Sequence, residues 1–509
     1  MATQLNNWLS IDKVSGTGNA QITLTASSYK ELVDRATSIK IQAQRTNAIL
    51  NVRQNALVPS ATLDSYEITA YREGTYTNGI TSNVPWTAVV NGDWITIDKA
   101  QGESGYTSLS ITLDANTETR NGSIVFNAGG VVLTLQIYQI YDLKKSYFWV
   151  EFEEANGTIS GLTNTYTDMY HSFDGITWLT TPKTLSMGNN TLVYFRNDSK
   201  KISTDRSHLK IKLDSNARVG GDISSITNMG RDCCSELFRD NQYLTDASQL
   251  ILPWATLTDY CYNYMFYNCT SLTSAPVLPA TTLANRCYRD MFYGCTNLTT
   301  APVLSATTLA PACYEGMFFN CTSLTTAPEL PATTLAYACY DHMFYGCTNL
   351  TTPPVLPATT LADYCYREMF YNCTSLTTAP ELPATTLADI CYDHMFESCT
   401  SLTTAPELPA TTLASYCYNG MFSFCESLTT APVLPATTLV DYCYRSMFYG
   451  CTNITYIKML ATDISAETCL GNWVKNVSTT GTFVKHPDAK IPTGISGIPN
   501  GWTVETATS

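Results

Sequence analysis

Nineteen cysteines, five histidines and a strand rich in carboxylates are the residues of this sequence whose types could do chemistry. Metal ligation comes first. Structural zinc sites use Cys-x2–4-Cys pairs or histidine knuckles. Here a phrase such as CYDHMFYGC (residues 339–347) spaces its cysteines eight apart, and the next cysteine lies eighteen further on. Cys233 and Cys234 are adjacent, which suits chelation poorly. Buried thiols behaving as small apolar residues are the reading this favours, with disulfides inside a phrase as the alternative. The histidines are His171, His208, His342, His394 and His486, and no HExxH-type spacing joins them. His342 and His394 sit two phrases apart, about 10 Å on a stacked array. That is too far to share a metal, so both read as solvated surface residues. No GxSxG, P-loop or dinucleotide fingerprint occurs. Glu151, Glu153 and Glu154 could supply the carboxylate pair of a glycosidase, because alternation along a strand puts Glu151 and Glu153 on one face. Solvated strand charges are the commoner use of such residues. The expectation is a protein that is not an enzyme and takes no cofactor.

The cysteines make better sense as register marks. Cys233, Cys261, Cys287, Cys313, Cys339, Cys365, Cys391, Cys417, Cys443 and Cys469 open successive copies of one phrase; the first step is 28 residues and later ones are 26. A fixed period of this size marks a solenoid, whose copies bury their apolar faces only by stacking. CYDHMFYGC has helical spacing, NLTTPPVL is β-compatible and stops at proline, and PATTLADY is a corner. Each turn is therefore expected to give one short helix and one short strand. Ten register points at strand spacing span about 45 Å. Cys, Tyr, Met-Phe, Cys, Leu and Pro recur and should fill the core. The pairs Arg289-Asp290, Glu315-Gly316, Asp341-His342, Arg367-Glu368 and Asn419-Gly420 change freely and should face solvent. Val277, Val303, Glu329, Val355, Glu381, Glu407 and Val433 should line the open face of the sheet.

The phrase MF-x-x-C-x-x-L-x-x-A-P-x-L-P resembles the BspA-like, Treponema-type leucine-rich repeats of gut Bacteroidetes surface proteins and their phages, over roughly residues 230–480. The tail GTFVKHPDAKIPTGISGIPNGWTV resembles the cap that closes such arrays, which an open solenoid end requires. Before the repeats, residues 84–139 alternate apolar and polar residues in short runs split by Gly, Asn and Asp, the pattern of an antiparallel sandwich. They resemble the BACON domain, an immunoglobulin-like module, through Trp86, WITI at 94–97, Gly102, DAN at 114–116, Arg120 and Gln139. The N-terminus repeats part of this: Trp8 matches Trp94, Arg35 matches Arg120 and Gln54 matches Gln139. The stretch equivalent to residues 59–91 has no counterpart, which leaves strand edges for a partner to pair by β-augmentation; a smaller self-sufficient sheet is the alternative. YFWVEFEE, HSFDGITWLT and NTLVYFRND read as strands of a further unit. The fold class is multidomain, N-terminal all-β Ig-like sandwiches followed by a leucine-rich-repeat solenoid. The divisions are 1–57, a partial BACON-like sandwich and candidate docking segment; 58–142, a BACON-like sandwich; 143–225, a β-rich cap; 226–480, the solenoid; and 481–509, the C-terminal cap.

Composition narrows the partners. Charged residues are 14% and the formal net charge is -14, which disfavours nucleic acid, because phosphate contacts need a basic face. No run of about 18 apolar residues is present to span a membrane. The opening MATQLNNWLSIDKVSGTGNA lacks the basic, apolar and cleavage regions of an export signal. These features and the resemblance lead to the expectation of a tail or fibre-like virion protein of a crAss-like Bacteroidetes phage, assembled in the host cytoplasm. Its N-terminal segment would meet other virion proteins and its solenoid a host surface glycan; homo-oligomers are compatible with this. The alternative is a bacterial cell-surface adhesin or carbohydrate-binding protein. Candidate contacts are Trp8, Tyr106, Trp178, Glu329, Glu381, Glu407, His342 and His394. Trp86 and Trp94 read first as core residues.

Overall fold

A computed structural model of the chain describes residues 7–12, 15–16, 21–42, 46–71, 73–116, 118–162, 169–198 and 209–507. They form two compact units, Met1–Asp142 and Leu143–Ser509. The first unit opens with two antiparallel pairs: β1 (Leu9–Ile11) with β2 (Leu24–Ala26), and β3 (Arg35–Gln42) with β4 (Asn47–Gln54). The buried apolar residues of this segment are Leu9 and Ile39, with Trp8, Ile11, Leu24, Ile41 and Val52 packed around them.

The rest of that unit is a two-sheet module. Its strands are β5 (Ala61–Leu63), β6 (Glu67–Ala70), β7 (Gly74–Ser82), β8 (Trp86–Asn91), β9 (Ile95–Ile97), β10 (Gln101–Gly102), β11 (Gly105–Leu113), β12 (Arg120–Ala128) and β13 (Val131–Gln139). A five-stranded sheet runs β10-β8-β12-β13-β6, and a four-stranded sheet runs β5-β7-β11-β9. Period-two alternation sends Ile124, Phe126, Leu135 and Ile137 of one sheet and Ile80, Leu109, Ile111 and Leu113 of the other into one core. Trp86 and Trp94 lie in that core too.

The second unit begins with a short helix (Leu143–Ser146) and the strands β14 (Phe148–Phe152), β15 (Thr158–Ser160), β16 (Met169–Ser172), β17 (Leu179–Thr180), β18 (Thr184–Ser186), β19 (Leu192–Asn197), β20 (Lys212–Leu213), β21 (Ala217–Asp222) and β22 (Leu244–Ile251). The main sheet runs β17-β16-β19-β14-β21-β22, and β18-β15-β20 form a smaller one. The pairing of β21 with β22 is parallel. It hands the sheet over to the repeats, since Asp246 bridges to Ser274 and Ser274 to Thr300, both in parallel.

The expected helix and strand of each repeat are not what forms. Among the described residues no helix lies in 226–480, and the middle repeats carry only isolated parallel bridges such as Thr326 to Thr352 and Thr334 to Thr360. The cysteine phrase is a ribbon of turns. Ala338, His342 and Gly346 have φ of 50°, 54° and 70°, so every fourth residue is left-handed. That reversal breaks the i to i−4 ladder of a helix and divides the amides into two sets. In one rung the amides of Tyr314, Gly316, Phe318 and Asn320 donate to the carbonyls of Cys339, Asp341, Met343 and Tyr345 in the next, at 2.7–3.1 Å. The intervening amides of Glu315, Met317, Phe319 and Cys321 bond three residues back within their own rung. The backbone is satisfied without a helix.

The interior is as the repeat implies. Phe238 stacks on Phe266, and the series continues through Phe292, Phe318, Phe344, Phe370, Phe396, Phe422 and Phe448, with centroids 5.3–5.9 Å apart. A parallel column runs from Tyr262 to Tyr444 at 5.6–6.0 Å. The second cysteine of each phrase does more than fill space. From Cys269 to Cys451, each such thiol donates to the carbonyl of the phenylalanine in the preceding rung, as Cys347 does to Phe318, at 2.9–3.2 Å. The far end closes with β23 (Tyr456–Met459), β24 (Thr482–Lys485) and β25 (Thr503–Thr506), all parallel. There Trp473 caps the phenylalanine column, its Nε1 donating to the Gly497 carbonyl at 2.8 Å.

Candidate functional site

One line of side chains on the solenoid alternates in character while the core around it stays constant. Val277 is 73% exposed, Val303 75% and Val355 76%. Glu329, Glu381 and Glu407 stand at the same rung position and are also exposed. The next residue in each rung, such as Leu330, Leu356 or Leu382, is buried and anchors the backbone beneath. Parallel bridging sets neighbouring rungs about 4.8 Å apart, so this line is a narrow ridge of methyl groups and carboxylates. Exposed threonines flank it, and several are tied down: Thr351 Oγ1 donates to the Thr325 carbonyl and Thr403 Oγ1 to Thr377, at 3.2 and 3.1 Å.

The pairs expected to face solvent instead bind one another. Asp341 and Asn419 are buried, and Gly316 and Gly420 lie beneath neighbouring side chains. Arg367 grips Asp341 with two bonds of 2.9 and 2.8 Å, and Arg289 meets Glu315 at 2.9 Å. Stacking brings one rung's pair against the next, so these residues satisfy each other laterally. His342 and His394 belong to this network rather than to the solvated surface. His342 places Nδ1 2.7 Å from Asp341 and Nε2 3.2 Å from Glu368. Burial opposes its charge, but the bonds to the two carboxylates outweigh that and lift its pKa to about 9. His394 meets Asp393 at 3.0 Å and Glu397 at 3.4 Å, and its pKa is raised in the same way against burial. His208 lies outside the described residues.

The aromatic candidates differ in what they offer. Tyr106 is 63% exposed, lies over Gly79 and donates to Asp64 at 3.0 Å. One ring face is covered and held, leaving a fixed platform. Trp178 is half-buried between Tyr147 and the Arg196 guanidinium. Trp8 lies under Arg35, whose guanidinium carbon is 4.5 Å from the ring centroid and which bonds Gln54 at 2.8 and 3.0 Å. Trp94, Arg120 and Gln139 make the same clasp, at 4.5 and 2.8 Å. A further aromatic column went unnoticed in the sequence: Tyr267, Tyr293, Phe319, Tyr345 and Tyr371, half-buried and 4.3–4.5 Å apart. Its signal is an aromatic residue six places after the register cysteine in five consecutive phrases. These rings cover one another's faces and present edges to solvent.

The N-terminal strands leave positions bare that the two-sheet module covers. Leu135 and Ile137 are completely buried there, whereas their counterparts Leu50 and Val52 are exposed and half-buried, and the adjacent Ile49 is 67% exposed. In the module, β8 lies antiparallel along β12 and β6 parallel along β13. Among the described residues no strand occupies the equivalent edges of β3 and β4. Of the carboxylates weighed for sugar cleavage, Glu151 is bound by Lys144 at 3.0 Å and Arg218 at 2.9 Å. Burial opposes its charge, and these two cations still hold its pKa below the ordinary range. Among the described residues no cluster of three His, Cys, Asp or Glu is arranged for a metal ion, and no helix is long and apolar enough to cross a membrane.

Comparison with known families finds two matches. BACON, described as a putative binding domain, N-terminal, matches residues 3–55 and 84–139. The BspA type leucine-rich repeat region matches residues 243–377 and 338–472. No curated protein matches the chain. Similar solved structures include a Bacteroides ovatus GH5 xyloglucanase in complex with a XXXG heptasaccharide, at 17% identity over 19% of this chain and 22% of that one, with a TM-score of 0.17. Domains 4 and 5 of the S-layer protein SbsC match at 11% identity over 26% of this chain and 96% of that one, with a TM-score of 0.17. An endo-fucoidan hydrolase of glycoside hydrolase family 107 matches at 13% identity over 43% and 37%, with a TM-score of 0.16. The chain thus spans 22% of the xyloglucanase. Scores this low establish no common fold.

Proposed function

We propose that this chain, which carries BACON domains and BspA-type repeats and so has the composition of a surface or binding protein, is a non-enzymatic docking and adhesion protein. The observation that carries this is the ridge from Val277 to Val433. Its side chains are valine in some rungs and glutamate in others and stay exposed, while the residue that follows each is a buried leucine. Such a scaffold presents a surface without spending core stability on it. Methyl groups beside carboxylates suit a ligand with both apolar faces and hydroxyl donors, as a glycan has. Tyr106 adds a fixed ring in the two-sheet module, which we read as an immunoglobulin-like sandwich. Glu151 is committed to an ion-pair cluster, which supports a structural role for that strand.

The N-terminal segment is the docking end in this reading. A strand from another polypeptide would pair with β3 in this reading as β8 pairs with β12. Bare docking edges favour an appendage assembled onto a larger body, and a virion is the setting we propose, with a bacterial cell surface as the second. Retention of the full chain on capsular glycans from candidate hosts tests the adhesion reading. Tyr106→Ala or Glu381→Ala should reduce retention several-fold, and no retention of the wild-type chain on any capsule would count against it. Finding the chain in purified phage particles, or on intact bacterial cells, separates the two settings.

A further inference from the structure

The first rung departs from the others. Its step is 28 residues rather than 26, and Cys234 stands where the rungs from Cys261 to Cys443 carry tyrosine. The Cys234 amide donates to the Cys261 carbonyl at 2.9 Å, just as the Tyr262 amide donates to Cys287 at 2.8 Å. A thiol fills far less space than a phenol ring. Beside it, Cys233 Sγ comes within 3.0 Å of Cys261 Sγ. Met229 Sδ lies 3.8 Å from Cys261 Sγ, so the surroundings are soft and apolar. Cys233 is also the one cysteine that is not fully buried. Hydrogen bonds from Cys234 and Cys261 hold its thiol below the ordinary range, while burial pushes Cys234 and Cys261 up. The half-buried Cys233 sulfur, 3.0 Å from Cys261 Sγ, is thus the nucleophile and the buried Cys261 the resolving thiol.

We propose that Cys233 and Cys261 form a thiol–disulfide exchange site that takes a small-molecule disulfide and closes a bond between the first and second rungs of the solenoid. The Cys233 thiolate attacks one sulfur of the small disulfide. That S–S bond breaks, a mixed disulfide forms on Cys233, and the first small thiolate leaves and takes up the proton Cys233 had released. Cys261 sulfur then attacks Cys233 Sγ. The protein disulfide forms, and the second small thiol departs with the proton of Cys261. Two protein thiols are oxidised by two electrons, and one small disulfide is reduced to two thiols. The bond ties the entry of the solenoid, where a repeat array frays first.

The test exposes the full chain to oxidised glutathione, quenches free thiols by alkylation under denaturing conditions, and maps disulfides by mass spectrometry without reduction. A Cys233–Cys261 linked peptide is expected, with slower amide exchange across residues 230–262, and Cys233→Ser should abolish both. A lasting glutathione adduct on Cys233 with Cys261 free, a Cys233–Cys234 link, or unmodified protein would each overturn the proposal. The wild-type map reads the outcome directly, so it does not depend on the variant folding.

Discussion

Phe344 shows how much a single ring carries in a stacked array. It is completely buried and touches Phe318 on one side and Phe370 on the other. Phe344→Ala removes two ring contacts and leaves a cavity that neighbouring rungs cannot close. It should cost about 3–5 kcal/mol in urea unfolding; a loss below 1 kcal/mol would show that the column is loosely packed. His342 sets a pH dependence. Its folded pKa of about 9 lies above its ordinary 6.5. Protonation therefore stabilises the fold, fully below pH 6.5, and the benefit fades as pH rises to about 9. The whole effect is ~3 kcal/mol at most. The stability gap between wild type and His342→Gln should shrink over that interval, and a gap that does not change with pH would refute the ion-pair assignment.

The turn ribbon is the element that the sequence concealed. Its period and inward positions were legible, because Cys, Tyr, Met, Phe and Leu recur at fixed places. Its backbone was not, because the left-handed positions hold Tyr260, Glu368, His394 and Ile390 as well as Gly and Asn, and residues of those types give no turn signal. The helical spacing of CYDHMFYGC misled for the same reason: four-residue turns repeat nearly as a helix does. Ile390, with φ of 61°, is β-branched in a conformation that costs L-residues about 1–2 kcal/mol. Ile390→Asn should therefore raise the urea midpoint, by about 1 kcal/mol in stability. Gly420→Ala should lower it, since a Cβ there would meet the His394 ring at 2.4 Å. An unchanged midpoint in both would mean that the rungs adjust freely.

At the scale of the molecule, the spacing of Trp, Arg and Gln announced the two related N-terminal segments, and the clasp of Arg35 on Trp8 repeats that of Arg120 on Trp94. What the spacing could not show was how the acid–base pairs of the solenoid meet, since that depends on which residues lie one rung apart. The two units have separate cores, so calorimetry should resolve separate transitions, with Phe344→Ala shifting only that of Leu143–Ser509. The central proposition is that thiols and rings seal one interior. Labelling the native chain with a thiol reagent and locating the adducts tests it most directly. Cys233 should react promptly, and the other eighteen of the nineteen cysteines only at the rate of unfolding. Prompt labelling of Cys313, Cys339 or Cys365 in the folded chain would contradict a sealed core.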